Sequence, residues 1–375
     1  LAHAVDVHHA ACHKVQHRFL QPRRAVAVQT AAGRLALGAH PVAAAHRALD
    51  RDPLGYTELF ELREKIVAFY AATHGVDVNI DRVLLTAGAS AALVAAYAAM
   101  FRPGDRVALL RPGYPAYRNT LAALRLEPVE IHCGPEQEFH PTPAQLEALS
   151  PTPQGFVIAS PANPTGAMLD SRQLGALLMT CRARGIQVIS DEIYHGISFG
   201  KRAVSALELD SRAVVINSFS KLYRMPGWRL GWMIVPRDWA AQIHSYLINM
   251  FLTPSTLAQH AAIAAMDEHE HLEHWVRIYE RNRTRLIEGL AALGVTHIVP
   301  PDGAFYLYAD IGHLTQDSMQ FCLRAVDETG VGLAPGIDFD PVEGHRFVRF
   351  SFAVTPGEIE QALERLADWL PHYRE

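Results

Sequence analysis

The sequence has few cysteines, a small net charge and no long apolar run. Its four cysteines lie far apart and form no CxxC pair: Cys12, Cys133, Cys181 and Cys322. This spacing argues against a zinc site or a disulfide framework and fits a reducing compartment. The net charge is −5, and no Lys/Arg run is long enough to form a basic stripe. Nucleic acid is therefore not expected as a partner.

No apolar run reaches the roughly 18–20 residues that a membrane-spanning helix needs, so we expect no membrane contact and a cytoplasmic protein. Two nucleotide-binding fingerprints are also missing. The glycine-containing turn at residues 86–90 matches neither GxGxxG nor GxxxxGK(S/T), which weakens dinucleotide and P-loop interpretations. What remains is an ordinary globular composition, 49% hydrophobic and 19% charged, in a chain of 375 residues that is long enough for two domains.

The first 30 residues carry many histidines and few large apolar side chains. On a helix, His9, His13 and His17 would share one face, with Cys12 nearby. A metal site would need firmer ligand spacing and a carboxylate or thiolate to complete it. We therefore expect no metal and interpret this segment as a solvated or poorly ordered arm.

Strands and helices alternate between residues 82 and 221. The pattern predicts strands at 82–86, 106–110, 128–132, 156–159, 187–190 and 213–217, and helices at 91–101, 115–124, 143–149 and 171–184. Residues 41–74 have a helical pattern, and the segment 58–70 carries one apolar stripe: Leu59, Leu62, Ile66 and Phe69. Alternation of this kind implies a mostly parallel sheet covered on both faces. Ligands of such sheets bind beyond the carboxyl ends of the strands.

The rest of the chain changes character. Helices are predicted at 239–249, 255–266 and 272–293. Short strands at 305–309, 331–333 and 346–353 then mix with helices at 318–328 and 356–370. This α+β pattern predicts a smaller second domain. We place the boundaries at 1–45 for the arm and part of the small domain, 46–275 for the large domain, and 276–375 for the small C-terminal domain.

Lys221 follows a buried strand, where an unpaired ammonium is costly. Lysines in such places serve as amine nucleophiles, often in Schiff bases. Ser218 and Ser220 precede it, and Arg229 follows eight residues later. Hydroxyls and a guanidinium suit a phosphate. The combination suggests pyridoxal phosphate (PLP); the alternative is a surface lysine in a strand-to-helix loop.

Polar side chains follow two other buried strands. Asp191 and Tyr194 are three residues apart and would point into the same crevice. A buried carboxylate needs a partner, and a pyridinium N–H is a suitable one. Alternatively, Asp191 is a helix cap and Tyr194 a core residue. Asn163, in a rigid turn with two prolines and a glycine, would present its amide to the same crevice.

Three further candidates complete the crevice. The turn at residues 86–90 opens a helix, and its free N–H groups make an anion site or simply a tight turn. Tyr114, at the next strand end, is placed to stack on a flat ring or to pack in the loop. Arg349 alternates with apolar residues in a strand and shares a face with Phe347 and Ser351. Its fork would grip a substrate carboxylate or form a structural ion pair.

Together these motifs resemble the fold-type I PLP-dependent aminotransferases of class I/II, the aspartate aminotransferase-like family. The resemblance covers residues 33 to the C-terminus. It rests on Asn163-Pro164-Thr165-Gly166, Asp191-x-x-Tyr194, Ser218-x-Ser220-Lys221 with Arg229, Pro301-Asp302-Gly303-Ala304-Phe305-Tyr306, and Val348-Arg349-Phe350-Ser351. It implies an α/β fold with a PLP-transferase-like large domain, whose mostly parallel central sheet is covered by helices, plus a smaller α+β domain.

The resemblance also implies a role for each candidate. Lys221 would carry PLP as a Schiff base, Asp191 would pair with the pyridine nitrogen, and Tyr194 and Asn163 with the phenolate oxygen. Lys221, Asp191 and Tyr194 would be catalytic. Ser218, Arg229 and the turn of Ala89 and Ser90 would hold the phosphate, with Ser220 nearby, and Tyr114 would stack on the ring. On the substrate side would lie Arg349, Asn163 and Gly33.

The family is usually a homodimer with shared active sites, and Tyr56 would reach the phosphate of the partner subunit. Two segments depart from the family pattern. Residues 56–63 are about three residues shorter than the usual spacing, and Arg34-Leu35 stands where Gln-Pro follows the substrate-side glycine.

The activity implied is transfer of an amino group from an L-amino acid to a 2-oxo acid, both small molecules. After the amino acid displaces it, Lys221 would move the α-proton as general base and acid. One alternative is another PLP reaction on the same scaffold, β-elimination or cyclisation. A second is a ligand-sensing module of a transcription regulator, for which the roughly 40 residues before Pro41 are too few to hold a DNA-binding domain.

Overall fold

A seven-stranded sheet forms the centre of the molecule in the computed structural model, which describes residues 38–52 and 54–374. Its strands are β1 (Val83–Thr86), β2 (Arg106–Arg111), β3 (Glu127–His132), β4 (Gly155–Ala159), β5 (Gln187–Asp191), β6 (Val214–Ser218) and β7 (Gly231–Ile234). They lie in the order β1-β7-β6-β5-β4-β2-β3. Strand β7 runs antiparallel to both of its neighbours, and the other pairs are parallel.

Helices cover both faces of this sheet. They are α1 (Ala39–Arg51), α2 (Phe60–His74), α3 (Ala89–Met100), α4 (Pro115–Ala123), α5 (Pro143–Glu147), α6 (Ser171–Ala183), α7 (Arg237–Phe251) and α8 (Thr256–Ala265). Strands β1, β6 and β7 are buried throughout, because helices cover both faces of the sheet. Their sequences are accordingly mostly apolar. Each face has its own hydrophobic core.

The C-terminal part has a second, three-stranded antiparallel sheet in the order β8-β10-β9. Its strands are β8 (Tyr306–Asp310), β9 (Ala334–Pro335) and β10 (Phe347–Ser351). The long helix α9 (His269–Ala292) leads into this part, and α10 (Ser318–Thr329) and α11 (Pro356–Trp369) pack with it around a separate apolar core. Within the described residues, no helix is long and apolar enough to cross a bilayer.

Most predicted elements are present within two or three residues of their expected ends. Two details differ. The apolar stripe of α2 is Leu62, Ile66 and Tyr70, because Leu59 is extended and its N–H binds Gln259 Oε1 at 2.7 Å. The strand expected at 331–333 lies instead at Ala334–Pro335, since the buried Val331 and Leu333 pack in the core without pairing to β10.

The predicted domain boundaries remain a prediction. The histidine-rich arm, with His9, Cys12, His13 and His17, lies outside the described residues, as does Gly33.

Candidate active site

One cavity of about 330 Å³ lies where the two parts of the molecule meet, beyond the carboxyl ends of the parallel strands. It brings together ten residues singled out in the sequence: Ala89, Ser90, Tyr114, Asn163, Asp191, Tyr194, Ser220, Lys221, Arg229 and Arg349. Tyr56 does not line it and is 83% exposed. No group of three or more His, Cys, Asp or Glu side chains in residues 38–52 and 54–374 is arranged to hold a metal ion.

One end of the cavity is built to bind an anion. Helix α3 begins at Ala89, so the first N–H groups of the helix have no intrahelical acceptor and carry its positive dipole end. The guanidinium of Arg229 lies over the preceding Gly88, which has a φ of +82°. A Cβ at Gly88 would collide with that guanidinium. Glycine is therefore required for both the backbone conformation and the approach of Arg229.

The two serines before Lys221 have different environments. Ser220 lines the cavity and lies 3.4 Å from Arg229 Nη1. The Ser218 hydroxyl does not reach the cavity wall. It lies 3.0 Å from both Leu230 O and Ser220 Oγ and accepts from the Ser220 N–H at 3.1 Å. In this arrangement Ser218 supports the loop that presents Ser220.

Asp191 lies at the floor of the cavity and is 3% exposed. Its Oδ2 accepts a hydrogen bond from the Tyr117 hydroxyl at 2.6 Å, and its Oδ1 accepts from the Ile193 N–H at 3.2 Å. Burial raises the pKa of Asp191 to about 6, although both hydrogen bonds and the charge of Lys221 oppose that shift. A cationic N–H donor in the cavity would find a buried carboxylate in need of a partner.

Lys221 lies among aromatic rings. Its Nζ is 5.7 Å from the centroids of both Tyr194 and Phe305. Tyr194 donates a hydrogen bond to the Tyr306 hydroxyl at 3.2 Å. Burial would raise the pKa of Tyr306, but the charges of Lys221 and Arg349 and the hydrogen bond from Tyr194 together lower it. The hydroxyls of Tyr194 and Tyr306 therefore form a proton-bearing pair beside the lysine.

Arg349 is held so that part of its guanidinium stays free. Its planar group lies 4.1 Å from the Tyr306 ring centroid and 4.7 Å from that of Phe339. Its Nη1 donates to Asn163 Oδ1 at 2.9 Å, whereas its buried Nε has no partner among the described residues. Cation–π contacts with both rings fix its orientation. An arginine oriented in this way can grip a carboxylate in a bidentate pair.

The turn that carries Asn163 is fastened to the C-terminal part. The carbonyl of Gly166 accepts from the N–H groups of Asp302 and Gly303, both at 3.0 Å. A Cβ at Gly303 would collide with Pro161, so the glycine permits this close approach. The motif at residues 301–306 thus joins the end of β4 to the start of β8.

Three residues of the site were missed at the sequence level. Tyr117 binds Asp191, Tyr306 binds Tyr194, and Phe339 covers Arg349. Tyr306 belongs to a motif that was recognised without a role. Tyr117 and Phe339 carry no local signal, because a tyrosine in a helix and a phenylalanine in a loop are ordinary packing residues.

Comparison with known proteins identifies the family. The family model for aminotransferase class I and II matches residues 37–366. A valine–pyruvate aminotransferase of Mycobacterium tuberculosis is 44% identical over 353 residues, which cover 92% of this chain and 91% of that protein. A Thermus thermophilus aspartate/prephenate aminotransferase is 31% identical, with 88% and 86% covered.

Solved structures of aminotransferases have the same fold as this chain. The crystal structure of an aminotransferase from Mycobacterium tuberculosis superposes with a TM-score of 0.93 at 40% identity, covering 97% of this chain and 96% of the other. The Thermus thermophilus aspartate aminotransferase with maleate gives 0.88 at 30% identity, with 96% of each chain covered. These matches confirm the predicted α/β fold and favour amino-group transfer over the elimination and sensing alternatives. The chain belongs to the aminotransferase class I and II family and transfers an amino group to a 2-oxo acid.

Proposed function

We propose that this protein is a PLP-dependent aminotransferase in which Lys221 is the catalytic amine and Arg349 the substrate carboxylate receptor. The observation that carries the proposal is the convergence of Lys221, Asp191, Arg229 and Arg349 on one cavity of about 330 Å³. Asp191 ends β5, Lys221 and Arg229 lie in the loop between β6 and β7, and Arg349 lies within β10 of the small sheet. Their charges match a phosphate, a ring nitrogen and a carboxylate, each of which needs a partner of opposite charge.

The residues present fit the phosphate of PLP. The N-terminus of α3, the Ser220 hydroxyl and the Arg229 guanidinium face one end of the cavity. Because Gly88 has no Cβ, the Arg229 guanidinium can lie directly against it. Helix N-termini and guanidinium groups are both strong phosphate ligands. We infer that Ala89, Ser90, Ser220 and Arg229 bind the phosphate directly, with Ser218 behind them.

The residues present also fit the pyridine ring. Asp191 would hold a proton on the ring nitrogen, and Tyr114 would stack on the ring. Asn163 and Tyr194 would donate to the phenolate oxygen, for which the Tyr194 hydroxyl would turn away from Tyr306. Asn163 Oδ1 already accepts from Arg349, which leaves its NH₂ group to donate. When bound, PLP supplies an electron sink for the electrons of a breaking Cα–H bond.

Lys221 is the group that moves the proton. Its Nζ would hold the cofactor covalently at rest and, once displaced by the substrate amine, would take the proton from the substrate α-carbon. The lysine must be neutral for that step.

Arg349 orients the substrate. Its guanidinium lies against the Tyr306 and Phe339 rings, and Arg349 lines the cavity, where a carboxylate can meet it. A guanidinium that is already fixed in orientation loses less conformational entropy when it binds a carboxylate than a mobile one does. We infer that the α-carboxylate binds here and thereby brings the α-carbon to Lys221.

We propose a neutral, aliphatic amino acid as donor and a small 2-oxo acid as acceptor. The 44% identical relative is named a valine–pyruvate aminotransferase, which supports this class. Among the described lining residues, the only cations are Lys221, Arg229 and Arg349, each with an assigned partner. The side chain of the substrate would meet apolar and aromatic groups such as Ile193 and Tyr114, where a second carboxylate would be unpaired.

We further propose a homodimer in the cytoplasm. Large apolar side chains are exposed on two adjacent segments: Leu54, Tyr56, Phe60, Met250 and Leu252. The Thr256 hydroxyl binds Gly55 O at 2.7 Å, so these segments are neighbours. A contiguous exposed apolar surface is typical of a subunit interface. Tyr56, at 83% exposure, would reach the partner's phosphate from this surface.

The decisive experiment is a half-reaction on the purified protein. With PLP bound, L-valine should shift the visible absorbance, pyruvate should restore it, and the 2-oxo acid product should equal the protein in amount. L-Aspartate at the same concentration should act at least tenfold more slowly. Release of ammonia without an acceptor, or no spectral change with any amino acid, would refute the proposal.

A further inference from the structure

A buried pair of titratable residues lies directly behind the proposed cofactor site. Glu192 and His195 are 1% and 3% exposed, and neither lines the cavity. Glu192 follows Asp191 at the end of β5, and His195 follows Tyr194. The pair therefore belongs to the turn that presents Asp191 and Tyr194, although neither side chain reaches the cavity.

The hydrogen bonds of the pair fix where its protons must be. His195 Nε2 lies 3.0 Å from Ser160 O, and a carbonyl oxygen only accepts, so Nε2 carries a proton. Glu192 Oε1 accepts from Ser190 Oγ at 3.1 Å and from the Ala206 N–H at 2.8 Å. The remaining atoms, Glu192 Oε2 and His195 Nδ1, face each other at 3.4 Å.

Oε2 and Nδ1 need one proton between them. Neither atom has a hydrogen-bond partner among the described residues, and 3.4 Å is longer than a well-formed hydrogen bond. Without a proton, two lone pairs would face each other in the interior, which costs free energy. With one proton, either a neutral acid–imidazole pair or an ion pair forms, and burial favours the neutral pair.

The pair connects two turns of the active site. Through Nε2, His195 is bound to Ser160, which starts the turn that carries Asn163. The Ser160 hydroxyl accepts from the Leu169 N–H at 2.9 Å and closes the other side of that turn. The ladder between β4 and β5 ends at Ala159 and Asp191. Beyond these residues, the hydrogen bond from His195 Nε2 to Ser160 O still connects the chain after β5 to the chain after β4.

We propose that Glu192 and His195 are positioning residues: the proton between Glu192 Oε2 and His195 Nδ1 holds the turn that carries Asn163 against the turn that carries Tyr194. Since Asn163 and Tyr194 are the proposed donors to the phenolate oxygen of PLP, this inference rests on the proposed function. Loss of the proton loosens both donors at once.

The surroundings support a proton that is held at acidic and neutral pH. Burial raises the pKa of Glu192 to about 7 and lowers the pKa of His195 to about 4. The neutral pair, with its proton on Glu192, is therefore favoured, and that proton is lost as the pH rises through the raised pKa of Glu192. The titratable and charged groups around the pair are Tyr70, His74, Asp191, Arg202 and Glu208. His74 is the nearest ring, 5.4 Å from His195, and its Nδ1 is bound to Glu208 at 2.7 Å.

The test compares Glu192→Ala with Glu192→Gln in the full-length protein. The alanine variant removes the contact to His195. The glutamine variant keeps it, because its NH₂ group donates to Nδ1 while its oxygen accepts from Ala206. The measurements are the dissociation constant of PLP and the pH midpoint of the absorbance change of the bound cofactor. Neither measurement depends on turnover.

In Glu192→Ala, which also loses the hydrogen bonds from Ser190 Oγ and the Ala206 N–H, we expect the dissociation constant of PLP to rise at least about tenfold. The absorbance midpoint should rise by about one pH unit, because the phenolate loses a donor that stabilises its charged form. Glu192→Gln should restore both. Asn282→Ala is the control, since it removes two buried hydrogen bonds, to Phe352 O and Val354 O, and none to Glu192, His195 or Ser160. It should lower the melting temperature without moving the midpoint.

A second measurement covers the case in which Glu192→Ala does not fold. The dissociation constant of the wild type divided by that of Glu192→Gln should rise at least threefold between pH 6 and 8.5, since only the wild type loses the shared proton. A constant ratio, or a wild-type midpoint in a folded Glu192→Ala protein, overturns this inference. Wild-type protein that binds no PLP would instead overturn the proposed function.

Discussion

The two sides of the active-site cavity are built in different ways. On the proposed cofactor side, Asp191 is the last residue of β5, and Lys221 and Arg229 lie in the loop between β6 and β7. On the substrate side, Tyr306 and Arg349 are themselves strand residues of the small antiparallel sheet. The first side depends on where strands end, whereas the second depends on how two strands are paired.

The register between β8 and β10 determines which side chains lie on the proposed substrate side. Arg349 pairs with Tyr308, and Ser351 pairs with Tyr306, so these four side chains share one face. Arg349 reaches the neighbouring Tyr306 ring at 4.1 Å. A one-residue slip would turn the guanidinium to the opposite face. The positions of the residues on the proposed cofactor side depend less on register, because these residues lie at or beyond the ends of strands.

The largest expected effect comes from removing the amine of the cofactor side. Lys221→Ala should lower the amino-transfer rate about 10⁴-fold, since it removes the group that moves the α-proton. The measurement is single-turnover formation of the 2-oxo acid. Lys201→Ala is the control, because Lys201 is half-exposed and pairs with Asp302 at 2.9 Å. Wild-type rates in Lys221→Ala would contradict the assignment.

On the substrate side, Arg349→Lys keeps the charge but loses the planar fork and the ring contacts. We expect kcat/KM for the amino acid to fall about 10²–10³-fold, mostly through KM, because truncating a buried charged pair costs about 2–5 kcal/mol. The dissociation constant of PLP should change little. Arg346→Lys, just before the same strand and paired with Asp310, serves as control. Equal effects of the two variants would argue against a substrate role for Arg349.

Gly88→Ala tests the anion end of the cofactor side. The added Cβ would meet Arg229, and φ is +82°, so PLP affinity should fall about tenfold and stability by about 1–2 kcal/mol. Gly75→Ala also places a Cβ at a positive φ, +65°, but in the milder left-handed helical region and with nothing within 4 Å. It should lose less stability and keep PLP affinity. Equal PLP affinity in the two variants would argue against an anion site at Gly88.

The smallest expected effect concerns the support of Asp191. Tyr117→Phe removes the hydroxyl that donates to Asp191 at 2.6 Å and so raises the pKa of that carboxyl further above its usual range. Because the carboxylate is lost as pH falls, the acidic limb of kcat/KM should move to higher pH, with a loss of a few-fold at pH 6 that disappears near pH 8.5.

The control for this variant is Tyr97→Phe. Tyr97 is also fully buried, but its hydroxyl has no partner among the described residues. Its removal should leave the acidic limb in place. If Tyr117→Phe and Tyr97→Phe give the same pH profile, the hydrogen bond to Asp191 does not tune the site.

The difference between the two sides explains what could be predicted. The alternation of strands and helices predicted the parallel sheet. The position of Asp191, Asn163 and Lys221 at or just after strand ends predicted that they lie in the cavity. Contacts between distant residues were not predictable in this way. Nothing near Tyr117 points to Asp191, 74 positions away, and nothing near Phe339 points to Arg349. The roles of Tyr56 and Gly33 stay predictions.

Local rules therefore determined much of this protein from sequence alone: the order of its elements, the end of the sheet that carries the cavity, and the chemical groups available there. The tertiary structure decided which hydroxyl faces the cavity, Ser220 rather than Ser218, and which rings clamp Arg349. It also placed the buried side chains of Glu192 and His195 against each other behind Asp191. The physical reason is that side-chain direction follows from backbone periodicity over a few residues, whereas distances across the fold follow only from strand register and packing.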